Sequence, residues 1–147
     1  MNNHFKLIGL CLLGCVWQAT AAESAQTNKK AALEIRVTNA FFYVPLGNSK
    51  ATMAFFTITN NSNTNVSVIG VSSQAAKQLR LMPESSLALP AHRSVALKAS
   101  GRYVQINELK TRLSTGDELH LEASLSNGQT LHIIAVAKSA YDQVHSR

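Results

Sequence analysis

The chain has 147 residues, 46% of them hydrophobic and 15% charged, which suits one globular domain with a proper core and excludes a disordered segment. Its formal net charge of +6 is scattered singly along the sequence, apart from Lys29-Lys30, and aromatic residues make up only 6%. Nucleic-acid binders cluster basic residues on one stripe and interleave them with stacking aromatics, so that class is excluded and solvated surface charge is expected.

At the N-terminus Lys6 precedes an apolar run from Leu7 to Trp17, and Ala19-Thr20-Ala21 fits the small-x-small cleavage rule. Residues 1–21 therefore read as an export signal. The run is too short to stay in a bilayer as a transmembrane helix. Leu12-Leu13-Gly14-Cys15 in the same run resembles a bacterial lipobox, in which the cysteine becomes a lipidated first residue. One route gives a soluble periplasmic or secreted domain, the other a domain held at the outer membrane by a lipid anchor on Cys15. The only cysteines are Cys11 and Cys15. A chain cut after Ala21 has no disulfide, no thiolate metal site and no cysteine nucleophile.

Residues 22–32 are small and polar and read as a flexible leader. The domain follows over residues 33–138. Residues 33–38 alternate, with Leu33, Ile35 and Val37 on one side, and the apolar residues 41–44 run into Pro45. Residues 47–50 are a loop. Residues 52–60 (TMAFFTITN) form the strongest central strand, with Met53 read as core. The Asn60-Asn61-Ser62-Asn63 cluster turns the chain, and residues 66–71 return, so the two strands are expected to pair as a hairpin.

Residues 78–82 read as a short strand or linker, and residues 87–109 as strand, turn, strand, turn, strand. Residues 118–125 alternate, Asn127-Gly128 is the strongest hairpin signal, and residues 129–138 answer. Residues 139–147 are a tail. No segment sustains a helical period, so about seven to nine short strands point to an antiparallel β-sandwich.

Residues 90–109 read PAHRSVALKASGRYVQINEL. They resemble the pattern PAGGxVxLxxGGxHLMLxGL of the PCuAC family, bacterial copper(I) chaperones that act outside the cytoplasm. Residues 54–60, 68–73 and 113–117 resemble the family's AAYxTIxNxG, DxLxGxxS and PLxxGD segments, so the resemblance spans roughly Ile35 to Ala137. It implies an all-β, cupredoxin-like Greek-key antiparallel β-sandwich, in agreement with the strand pattern. It also implies a copper site built from a His-Met step, a further Met and a His-x-Met pair, since soft thioethers with imidazole select Cu(I).

The residues at those positions differ. The His-x-Met pair falls on Tyr103 and Gln105, with Asn107 at the next outward position. Arg80 or its neighbour stands where the family's first His belongs, and a cation there opposes metal binding. Met82 is the one sulfur nearby, and His92 occupies a turn position where the family has Gly. With a three-residue loop at residues 126–128, His132 should face Glu122 with His120 on the diagonal, a cluster able to hold Zn(II) or Cu(II) weakly.

No Gly-x-Ser-x-Gly elbow, phosphate-binding glycine loop or nucleophile–base set is present, so no enzyme is expected. No resident cofactor is expected either, with copper(I) kept open by the resemblance through Met82, His92, His120 and His132. The remaining expectation is a binding module for an envelope or secreted protein or another ligand. Arg80, Arg102, Tyr103, Gln105 and Asn107 form its candidate patch.

Overall fold

The computed structural model describes residues 34–143. The export signal, the leader and the lipobox cysteine Cys15 lie outside the described residues, as does the end of the tail. Nine strands run in order: β1 (Ile35–Tyr43), β2 (Thr52–Asn60), β3 (Val66–Ser72), β4 (Ala76–Met82), β5 (Leu87–Leu89), β6 (Arg93–Ala96), β7 (Tyr103–Leu109), β8 (Glu118–Leu125) and β9 (Thr130–Lys138). A short 3-10 turn, Ala140–Gln143, begins the tail.

Alternation decides the layers. In β8 residues Leu119, Leu121, Ala123 and Leu125 are buried while those between them are exposed, and β9 answers with Ile133, Ala135 and Ala137. The hydrogen-bonded order is β4-β7-β2-β1-β9-β8-β3-β5, with β6 also pairing β2. β1 carries the sheet around the corner: it pairs antiparallel with β2 and parallel with β9. The inward faces share one core that includes Phe42, Phe56, Ile58, Val104, Ile106 and Leu121. The fold is the expected all-β cupredoxin-like sandwich.

β1 is one strand, with a register shift between Thr38 and Phe41 at Asn39, whose φ is +53°. The extra residue reverses the parity of the strand. Ile35 is buried before it and Phe42 after it. Phe41 and Tyr43 are thereby turned to the outer side, where their rings meet Phe55 at centroid distances of 5.3 and 5.7 Å. Lys138 Nζ sits 4.1 Å from the Phe41 ring centroid.

The expected β2–β3 hairpin is not formed. β2 bonds β1, β6 and β7, whereas β3 bonds β5 and β8. Both strands bury strongly apolar faces, and these face each other across the core instead of lying side by side in one layer. The turn between them is held by Asn60, which is fully buried. Its Nδ2 donates to the carbonyls of Thr64 (2.8 Å) and Leu89 (2.9 Å), and its Oδ1 accepts from Ser62 N (3.0 Å) and Ser62 Oγ (2.7 Å).

Removing this amide strands the buried Leu89 carbonyl and takes one of two partners from the Thr64 carbonyl, which keeps Ser62 Oγ at 3.1 Å. Asn60→Ala is therefore expected to cost about 2–4 kcal/mol, from the orphaned carbonyl at about 1–3 kcal/mol and the weakened Thr64 contact at about 0.5–1.5 kcal/mol. The exposed neighbour change Asn61→Ala should stay within about 0.5 kcal/mol. Chemical denaturation of both variants checks the difference.

Candidate functional site

The site is built on β7. Val104 and Ile106 are fully buried, which turns Tyr103, Gln105 and Asn107 outward in a half-buried row. β4 runs antiparallel beside it, with Met82 opposite Tyr103, Arg80 opposite Gln105 and Gln78 opposite Asn107. Directly opposed residues in an antiparallel pair share a face. On the other side of β7, Met53 of β2 is opposite Gln105. One row across three strands thus reads Arg80, Gln105, Met53, and the next holds Met82 and Tyr103.

The fold brings four of the five patch residues, Arg80, Tyr103, Gln105 and Asn107, onto one face. Arg102 adjoins them at the start of β7, where its Nη2 lies 3.7 Å from Glu84 Oε2 in an exposed ion pair. Arg80 makes no ion pair among the described residues. With Met82, Leu79, Pro83 and Ile69 it also borders a cleft of about 490 Å³ between β4 and β3.

Met53 was expected in the core and is 39% exposed on this outer face instead. The signal was present in the sequence. Ala54, Phe56 and Ile58 occupy the inward parity of β2, and Met53 shares the opposite parity with Phe55. Phe55 escapes solvent only because the Phe41 and Tyr43 rings lie against it.

The residues at the expected copper position, Tyr103 and Gln105, do not offer copper(I) the donors of a His-x-Met pair. A phenol and an amide are poor ligands for a soft ion. A guanidinium directly opposite Gln105 adds a charge that repels any cation placed there. What the face does offer is two thioethers, Met53 and Met82, on either side of β7.

His92 is not brought to this face. It sits in the β5–β6 turn with φ +56°, its Nε2 2.7 Å from Asn63 Oδ1. β6 starts with Arg93 opposite Asn60, seven residues along β2 from Met53, or roughly 23 Å at the rise of a strand. Met82 and His92 therefore do not meet.

The β8–β9 histidines have the expected register. Glu122 faces His132, and His120 faces Ile134, which puts the two imidazoles on a diagonal. His132 Nδ1 lies 3.7 Å from Glu122 Oε1, and His120 Nε2 lies 3.9 Å from Glu118 Oε2, all four side chains being more than half exposed. They flank an open cleft of about 540 Å³. No group of three or more His, Cys, Asp or Glu among the described residues is placed to hold a metal ion. No helix among them is long and apolar enough to cross a membrane.

Residues 35–137 match the family described as "Putative lipoprotein LpqE-like". The chain belongs to the LpqE-like family. A relative from Leifsonia xyli subsp. xyli, "Putative lipoprotein Lxx21020", is 29% identical over 142 residues, covering 88% of this chain and 83% of its own. The fold is shared with solved PCuAC domains. The copper-bound PCuAC domain from PmoF2 superposes with a TM-score of 0.67 at 16% identity, covering 72% of this chain and 93% of its own. The copper(I) form of DR1885 from Deinococcus radiodurans gives 0.62 at 24% identity, covering 78% and 85%. At these identities the likeness is one of fold.

The outward position of Met53 has a simple consequence. Met53→Ser should change stability by no more than about 0.5 kcal/mol, whereas Ile106→Ala, one register step away and fully buried, should cost about 2–5 kcal/mol. Thermal or urea unfolding of the two variants checks the assignment of faces.

Proposed function

We propose that this protein is an exported PCuAC-like binding domain in which the family's copper position has become a recognition face. Its ligand is a protein or another molecule of the cell envelope, and it performs no catalysis. The observation that carries the reading is the position of Tyr103 and Gln105. They stand outward where the family pattern has His and Met, with Arg80 directly across from Gln105. Tyrosine and arginine are the residue types that most often anchor interfaces. The adjoining cleft beside Arg80 and Met82 gives a partner side chain somewhere to go.

Export is supported by the signal pattern and by the lipoprotein descriptions of the family and of the Leifsonia relative. Anchoring through Cys15 would hold the domain at the outer membrane and limit its partners to those within reach of the tether. A periplasmic or secreted soluble form would remove that limit and leave the face unchanged.

A second reading has one observation in its favour. Met53 and Met82 place two soft donors on the same face. A copper(I) chaperone could use them with a donor supplied by the protein that gives or receives the metal.

The two readings part on what the face lacks. If the backbone frame is intact and only the ligands have gone, the double change Tyr103→His with Gln105→Met should restore copper(I) affinity. The expected gain over the native domain is about 100-fold or more, equivalent to about 2.8 kcal/mol. Equal affinity of native and grafted domains in a chelator competition would overturn the first reading. Loss of native affinity in Met53→Leu with Met82→Leu would establish the second.

A further inference from the structure

At the end of the sandwich where β1 passes to β2, two loops border an open cavity of about 330 Å³. One loop spans residues 44–51 and the other residues 110–117. Three cations line the cavity: Lys50 from the first loop, and Lys110 and Arg112 from the second. Its apolar wall is formed by Pro45, Leu109 and Leu113. No carboxylate among the described residues lines it. We propose that this cavity binds a small organic anion, a carboxylate or phosphate head on a short apolar stem.

The first argument is that the cavity is already built. Leu109 N donates to Lys50 O at 3.0 Å, and Arg112 Nη2 donates to Gly47 O at 2.9 Å, so the two loops are tied together on both sides. Lys110 is fixed through both its backbone and its side chain, N to Ala75 O at 2.9 Å and Nζ to Gln74 O at 2.7 Å. Ser114 N and the Asp117 carboxylate close the second loop at 2.7 Å. A ligand therefore need not bear the entropic cost of ordering these loops.

The second argument is the charge left over. The carbonyl contact of Arg112 uses one of its five N–H donors, and that of Lys110 uses one of its three. The Lys50 ammonium makes no hydrogen bond or ion pair among the described residues, though its charge is felt by Glu108. The nearest carboxylate along β7, Glu108, is engaged elsewhere, 2.9 Å from Lys77. Lys77 holds the Glu108 carboxyl below the ordinary carboxylate range, first through the hydrogen bond and then through its charge, with a smaller contribution from Lys50. Glu108 thus offsets Lys50 only in part, Lys110 and Arg112 form no ion pair among the described residues, and the cavity keeps a positive excess that an anion would offset.

The third argument is the mixture of surfaces. An inorganic anion would satisfy the cations and leave the half-buried Leu113 and Pro45 in water. A stem of a few carbons covers that wall, at roughly 0.8 kcal/mol for each methylene fully removed from water. The volume is within the range of small-molecule pockets, about 300–1,000 Å³. This site is separate from the β4–β7–β2 face and does not depend on how that face is read.

The test uses the mature protein and three probes, namely octyl phosphate, inorganic phosphate and neutral octyl glucoside below its micelle concentration, each followed by backbone amide shifts. Octyl phosphate is expected to saturate, with shifts confined to residues 45–50 and 109–113. It should bind at least about tenfold more tightly than either other probe, equivalent to about 1.4 kcal/mol. Lys50→Gln, which breaks no contact seen here, should weaken it about tenfold, while Arg93→Gln at the opposite end of β2 should leave it unchanged. Equal binding of inorganic phosphate, equal loss in both variants, or shifts spread over the whole basic surface would each overturn the proposal.

Discussion

The burial of Val104 and Ile106 against the inward residues of β2 constrains everything on the outer face of this domain. Both side chains are fully buried. Slipping β7 by one residue would expose them and bury Tyr103, Gln105 and Asn107 in an apolar core, at the price of several unsatisfied polar groups. The strand is thereby fixed in register, and so are its neighbours. Arg80, Met82 and Met53 face outward because their strands are locked to β7 by the same pairing. The site can change its chemistry only by exchanging side chains at fixed positions.

The backbone frame is held by features that have no stake in that chemistry. Asn60 fastens the crossing from one layer to the other from within the core. Left-handed backbone is kept at two positions that are not glycine, one in the β5–β6 turn and one near the end of β7. His92 has φ +56° and Glu108 φ +54°, and the PCuAC pattern has Gly at both positions. Such residues hold an uncomfortable conformation because the surrounding ladder over-determines it. The frame thus holds without glycine at either position.

Much of the fold could be read from alternation alone. Residues 118–138 gave their hairpin, their inward leucines and the Glu122–His132 pairing correctly, because period-2 burial and Asn127-Gly128 act locally. The β2–β3 connection differs from the expected hairpin for a physical reason. A short polar turn between two apolar strands fits a hairpin and a crossing between layers equally well. What decides it here is Asn60, whose bond to the Leu89 carbonyl becomes visible only once β5 is in place. Met53 was legible and misread, since its parity opposes Ala54 and Phe56. The cation-lined cavity was not legible. Lys50 and Arg112 are 62 positions apart in the sequence, and only the tie between their loops brings them to one wall. That Arg80, Tyr103, Gln105 and Asn107 share a face was legible because Tyr103, Gln105 and Asn107 alternate along one strand and Arg80 lies opposite Gln105.

The account stands or falls on the metal. A chromophoric copper(I) chelator titrated with the native mature domain under reducing conditions tests it most directly. With Tyr103, Gln105 and Arg80 at the ligand positions, the chelator should keep its copper at every protein concentration. Withdrawal of one equivalent of copper by the native domain would contradict the account, and would mean that the methionines of this face still carry the cargo of their fold.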